Sequence, residues 1–213
     1  MHKSPRHLLA ALAAGAILLI APATAEAHLV TTGLGPVYDG VGHFCTSLED
    51  VVPAVALALL AGLRGPGSGR KALFALPVAW VLGGLIGLSL TPAPELSRPV
   101  LSGIVAATFM IPGVLIAADL NLPPLVIGLL AGLLGMVHGY LDALGMLAEG
   151  ATPGNGALEF VGVGAVLFVL VALFSSLVIS LRPAWTRIVF RVAGSWISAA
   201  GLLWLGWALK GRG

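Results

Sequence analysis

The chain has 213 residues, of which 58% are hydrophobic and only 9% are charged, and its mean hydropathy is +1.03. This composition excludes an ordinary soluble domain and predicts an integral membrane protein. The formal net charge of +2, carried by scattered basic residues, excludes a nucleic-acid-binding surface. Because Cys45 is the single cysteine, an internal disulfide framework and a cluster of thiolate ligands are also excluded.

The amino-terminal segment, residues 1–27, has the features of a cleavable signal peptide. Basic residues precede an apolar run over residues 8–20, and a small-x-small pattern ends at Ala27. Cleavage there leaves His28 as the first residue of a single domain, residues 28–213. The alternative is an uncleaved first helix, but the apolar run is short for a membrane span.

Apolar segments account for most of the remaining chain. They lie at residues 51–63, 72–90, 100–118, 125–147, 158–181 and 188–209. Each later segment is long enough to cross about 30 Å of hydrocarbon as a helix. The sequence therefore predicts an all-α fold, an integral membrane bundle of six transmembrane helices whose main partner is the lipid bilayer.

The charged turns predict the orientation of this bundle. Basic residues follow the first and fifth segments, whereas the turns after the second and fourth segments carry acids; these residues are Arg64, Arg70, Lys71, Arg182 and Arg187, against Glu95 and Glu149. Basic turns remain on the cytoplasmic side. We therefore predict a bacterial-type inner (plasma) membrane protein whose mature amino terminus lies outside.

Polar chemistry is concentrated just before and within the first apolar segment. A span needs about 20 residues, so a helix over residues 51–63 must begin earlier, and its polar start lies within the membrane. If this helix also includes the preceding residues back to Asp39, then Asp39, His43 and Asp50 lie on one face, at i, i+4 and i+11. Glu49 stands beside them, with a favourable charge at a helix amino terminus as its alternative role.

A second pair of polar residues lies in the fourth segment, where His138 and Asp142 are four residues apart on one helical face. At about 1.5 Å rise per residue, Asp50 and His138 lie at a similar depth, each about 20 Å from the cytoplasmic end of its segment. Imidazole and carboxylate groups suit nickel, cobalt, zinc or copper(II) rather than sodium or magnesium. The candidate metal ligands are His28, Asp39, His43, Glu49, Asp50, His138 and Asp142.

Other residues receive structural assignments. A lone histidine in a helix bundle is commonly hydrogen-bonded to a neighbour, which is the alternative for His138 as a ligand. Trp80 and Trp196 lie deep in their segments and are assigned to packing. Asp119 is expected to end a helix at the cytoplasmic side, and Glu159 to begin one at the outer side.

Two short motifs resemble those of the HupE/UreJ family. The family's first motif is His, five residues, then Asp-His; residues 36–43, PVYDGVGH, retain the final His43, with Pro36 and Gly42 in place of the other two. The second motif is Phe-His-Gly-x-Ala/Val-His-Gly-x-Glu. Residues 137–145, VHGYLDALG, match it as follows: His138 and Gly139 are kept, Asp142 replaces the second histidine, and Gly145 replaces the glutamate.

The resemblance implies a function as well as a fold. The family comprises membrane proteins associated with hydrogenase and urease operons and regarded as nickel or cobalt permeases. It implies a non-enzymatic permease or facilitator for a divalent transition metal, with nickel or cobalt favoured and zinc or copper as alternatives. A membrane accessory protein that binds metal without moving it and an intramembrane metalloenzyme are the other hypotheses. No Walker A loop, His-Glu-x-x-His or Gly-x-Ser-x-Gly motif is present.

Overall fold

The computed structural model describes residues 32–90, 97–181, 183 and 185–210. Within these residues the chain forms seven α-helices and no strand, which confirms the all-α prediction. The helices are α1 (Pro36–Thr46), α2 (Leu48–Leu63), α3 (Pro66–Ser89), α4 (Arg98–Ala117), α5 (Pro124–Ala148), α6 (Pro153–Ser180) and α7 (Trp185–Lys210). The predicted signal peptide and His28 lie outside the described residues.

Five of the described helices, α3 to α7, are long and apolar enough to cross a membrane. The helices α1 and α2 form a sixth span only if they count as one broken element, because they are bent by 78°. The structure therefore supports an integral membrane bundle with five candidate spans among the described residues, and the bent pair stands where the first of the six predicted spans was expected.

The bend between α1 and α2 occurs at Ser47. This residue is extended, with φ −82° and ψ 99°, and its amide donates to the carbonyl of His43 at 3.0 Å. The Thr46 hydroxyl lies 2.9 Å from the Gly42 carbonyl and 3.1 Å from that of His43. These contacts satisfy the last carbonyls of α1, which a helix end otherwise leaves unpaired. A continuous helix that would carry Asp39 and Asp50 on one face does not form.

The helix α2 occupies the centre of the bundle. Ten of its 16 residues are buried, most of them alanine and leucine, and it contacts α3, α4, α5 and α6. Small side chains allow these neighbours to approach its backbone closely, which is the main source of packing energy between helices in lipid. Asp50 in the first turn of α2 is thereby held inside the protein, where it is only 3% exposed.

The most extensive helix contact joins α3 and α5, and glycines make it possible. A methyl group on Gly139 would overlap the carbonyl oxygen of Trp80, and one on Gly83 would overlap that of Met136. Glycines four residues apart, such as Gly83/Gly87 and Gly135/Gly139, are the sequence pattern that permits such packing. Gly132, four residues after Gly128, makes no such contact, because nothing lies within 4 Å of a Cβ placed there.

The helices α4 and α7 pack on each other at one side of the bundle. Only 11% of the apolar 18-residue stretch of α7 is buried inside the bundle. The assignment of Trp196 to interior packing is therefore wrong, because its side chain is 75% exposed. Trp80 on α3, by contrast, is completely buried, as predicted.

An ion cluster closes the end of the bundle where the basic turns lie. Arg64 and Arg187 both pair with Asp119, which follows α4, and the Arg187 Nη2 to Asp119 Oδ2 distance is 2.8 Å. The hydrogen bond from the largely buried Arg64 is the main cause that lowers the pKa of Asp119. The carboxylate therefore stays ionised at neutral pH and joins turns that the sequence predicted to share one side of the membrane.

Candidate metal centre

Three of the predicted ligands meet at the junction of α1, α2 and α5. His43 lies in the last turn of α1, Asp50 in the first turn of α2, and Asp142 on α5. One ligand atom from each lies within 4.8 Å of the others. The bend at Ser47 makes this possible, because it turns the end of α1 toward the start of α2. We call these residues the three-ligand group.

His138 contacts one member of this group, Asp50, without belonging to the group itself. Its Nδ1 lies 2.8 Å from Asp50 Oδ1, and both side chains are nearly completely buried. The contact confirms that Asp50 and His138 share one depth, as the helical rise predicted. The other ring nitrogen, Nε2, lies 3.0 Å from the Thr108 hydroxyl on α4. Because both nitrogens have partners, His138 is placed to orient Asp50 rather than to face the three-ligand group itself.

The Thr108 hydroxyl has two acceptors for its single hydrogen. It lies 2.7 Å from the Val105 carbonyl and 3.0 Å from His138 Nε2. If the His138 ring is neutral with its hydrogen on Nδ1, Nε2 accepts a hydrogen bond from the Thr108 hydroxyl. If the ring is charged, Nε2–H donates to the Thr108 oxygen, and the Thr108 hydroxyl donates to the Val105 carbonyl instead. In both arrangements Nδ1–H donates to Asp50, so the support of that carboxylate is retained.

Trp80 orients the third ligand. Its indole N–H donates to Asp142 Oδ2 at 2.7 Å, which leaves the other carboxylate oxygen for a metal. The indole also stacks on the His138 ring, with centroids 4.9 Å apart, and makes a T-shaped contact with the Phe44 ring, with centroids 5.7 Å apart. A buried aromatic platform therefore fixes Asp142 and His138 together.

A cavity lies beside the three-ligand group, at the end of the bundle opposite the ion cluster. The cavity has a volume of about 240 Å³ and lies between α1, α6 and the connection from α5 to α6. His43 lines it and also belongs to the three-ligand group. Asp39 lines it too, and its Oδ1 accepts from the Thr32 amide at 2.5 Å and the Thr32 hydroxyl at 2.6 Å.

The other two predicted ligands among the described residues, Asp39 and Glu49, do not join the group. Glu49 is exposed beside Asp50, and Asp39 is confined to the cavity.

Sequence reasoning missed Thr108 as a partner of His138 and gave Trp80 no polar role. A signal existed for Trp80, because a deeply placed indole N–H requires an acceptor. Glu159 does not begin a helix, since it lies inside α6 and is 7% exposed.

The charge balance of the group favours a cation. Asp50 and Asp142 face each other within 4.8 Å, and no lysine or arginine pairs with either of them among the described residues. Two ionised carboxylates at this distance repel by about 3–4 kcal/mol at an effective dielectric constant of about 20. A divalent ion between them removes this repulsion, and the histidine nitrogen adds a ligand suited to a transition metal.

The sequence profile of the family described as HupE / UreJ protein matches residues 7–204. The chain belongs to the HupE/UreJ family. It is also similar to Protein HupE of Rhizobium leguminosarum bv. viciae, with 25% identity over 187 residues, which cover 86% of this chain and 91% of that protein. No solved structure matches the chain.

The structure gives physical roles to the HupE/UreJ motif positions. Members of the family are known as nickel/cobalt transport or accessory proteins, and this chain departs from their second motif by placing Asp142 where they have a histidine. That aspartate is part of the three-ligand group. The retained His138 holds Asp50, and the retained Gly139 allows α5 to contact the Trp80 backbone. The two motifs therefore meet at one site.

Proposed function

We propose that the protein is a permease or facilitator for a divalent transition metal ion, nickel or cobalt in preference to zinc or copper. The observation that carries this proposal is the convergence of His43, Asp50 and Asp142 at a junction of three helices, where Asp50 is buried and the other two are half-buried. Ionisable groups within a membrane bundle are costly and mark ion pathways. The two carboxylates balance the charge of one divalent ion, and water completes its coordination.

The cavity supports movement rather than permanent storage of the ion. It reaches the three-ligand group at His43, so an ion can approach from the solvent without crossing the apolar core. A site made of one imidazole and two carboxylates also allows release, since conduction requires binding that is not too tight. A non-transporting accessory protein would use the same ligands, and uptake distinguishes the two functions.

The orientation of the bundle belongs to the proposal as well. We place the cavity on the outer side of the plasma membrane, because the Arg64–Asp119–Arg187 cluster closes the opposite, basic end. Cysteines introduced at the exposed positions Asn155 and Leu120, in a Cys45→Ser background, test this. An impermeant maleimide added to intact cells should label the first and spare the second. The reverse pattern would invert the orientation.

The test of function combines binding and uptake. Purified protein dialysed against nickel or cobalt is expected to retain one ion per chain in the three-ligand group, and proteoliposomes containing it should accumulate the same metal from outside. Binding without accumulation would establish the accessory function instead. Protein that remains folded and retains no divalent transition metal would contradict both.

A further inference from the structure

Glu159 on α6 is a buried carboxylate that the three-ligand group does not use. It is 7% exposed and lines the 240 Å³ cavity. Its side chain makes no hydrogen bond or ion pair with any residue in the described part of the chain. The carboxylate oxygens of Glu159 are not among the fully enclosed polar atoms that lack a partner, so they are accessible from the cavity that the residue lines. A carboxylate with so little exposed surface and no protein partner is only partly hydrated, and a cation in the cavity would stabilise it.

The packing of α1 on α6 holds this carboxylate in the cavity wall. A methyl group on Gly40 would overlap the backbone carbonyl of Glu159, and one on Gly162 would overlap that of Val37. The two backbones therefore touch at two points along the contact. This fixes Glu159 in the same cavity as His43, which α1 carries.

The acidic residues of the cavity do not form a compact chelating group, and the space between them is large enough for a hydrated ion. Within the described residues, the compact group of ligand atoms is the one formed by His43, Asp50 and Asp142, and Glu159 is not part of it. A volume of about 240 Å³ far exceeds the about 10–15 Å³ that a single water molecule requires. A divalent ion with six first-shell waters fits this space.

We propose that the cavity is a second cation site, which binds a hydrated divalent ion through the Glu159 carboxylate and the water molecules of the ion. The Asp39 carboxylate adds negative charge from α1, with one oxygen not engaged by Thr32. The site rests on the proposed function in one respect: the ion held here is the one that the three-ligand group receives. His43 is then its first direct ligand, because that side chain belongs to both places.

Hexaamminecobalt(III) is the probe for this site. It has the size and octahedral shape of a hydrated metal ion, but it does not exchange its ammonia ligands and cannot enter the three-ligand group. Titration calorimetry of the purified protein should detect one bound complex per chain. Glu159→Gln is expected to weaken that binding at least ten-fold, whereas Asp142→Asn, which alters the three-ligand group, should leave it within two-fold of wild type.

A matched variant separates a site from general negative charge. Glu149 lies on the exposed rim of the cavity, where solvent and salt screen its charge, so Glu149→Gln should weaken binding less than two-fold. Equal losses in the two glutamine variants, no loss in Glu159→Gln, or no binding to wild type would overturn the proposal.

Circular dichroism and thermal unfolding establish that Glu159→Gln is folded. Failure of nickel to bind wild type, with hexaamminecobalt(III) binding intact, would overturn the proposed function and leave this site standing.

Discussion

Replacing Asp50 by asparagine is expected to abolish uptake of nickel or cobalt and to weaken the binding of these ions at least about 30-fold. Asparagine keeps the shape of the side chain, and its amide oxygen still accepts the hydrogen bond from His138 Nδ1, so the fold is retained. What is lost is one of two charges that face the ion. Removing one member of a buried charge pair costs about 2–5 kcal/mol in binding. Equilibrium dialysis and proteoliposome uptake measure the two effects.

The control for this variant is Glu49→Gln. Glu49 is the neighbouring carboxylate on the same turn of α2, but it is exposed and outside the three-ligand group. Its loss should change the dissociation constant less than about three-fold, because exposed charges are screened by water and salt. Wild-type affinity in Asp50→Asn would refute the site. Loss of binding in Glu49→Gln alone would move the ligand to the other acid in this turn.

The depth of the polar residues was predictable because helical rise is constant. Counting residues from the cytoplasmic ends of two segments placed Asp50 and His138 at one level, and the structure joins them by a hydrogen bond. The role of His138 was not predictable in this way. Whether its ring faces the ion or stands behind Asp50 depends on Trp80 and Thr108, which come from two other helices.

The break at Ser47 could not be read from the local sequence. The strongest helix-breaking residues nearby, Gly40, Gly42 and Pro53, all lie inside helices. The bend occurs instead where tertiary packing requires it, because Gly40 and Gly162 bring α1 against α6 while α2 enters the centre of the bundle. Such long-range contacts override local preference. The three-ligand group depends on this bend, so its membership also lay beyond the sequence.

The two deep tryptophans show a second limit of the sequence. Trp80 and Trp196 each lie within an apolar segment, yet one is fully buried and the other is 75% exposed. Lipid and protein interior are equally apolar, so hydropathy does not separate the two faces of a membrane helix. Position in the bundle decides: α3 lies between α5 and α6, whereas α7 has its main contact with α4 alone.

Replacing Gly139 by alanine is expected to destabilise the protein and to remove metal binding with it. The added methyl group would overlap the carbonyl oxygen of Trp80, which is main chain and cannot move aside by changing rotamer. The helices α3 and α5 must then separate, at a cost of about 3 kcal/mol. This corresponds to a fall of about 6–12 °C in the unfolding temperature for a chain of this size. Thermal unfolding in detergent, followed by circular dichroism, measures it.

Gly132→Ala is the matched control on the same helix. Nothing lies within 4 Å of a Cβ at Gly132, and alanine is favoured over glycine in a helix by about 1 kcal/mol. Its unfolding temperature should therefore equal or exceed that of wild type. Similar unfolding temperatures for the two variants would mean that α5 does not contact the Trp80 backbone. In that case the indole would no longer be held beside Asp142, and the geometry proposed for the three-ligand group would lose its support.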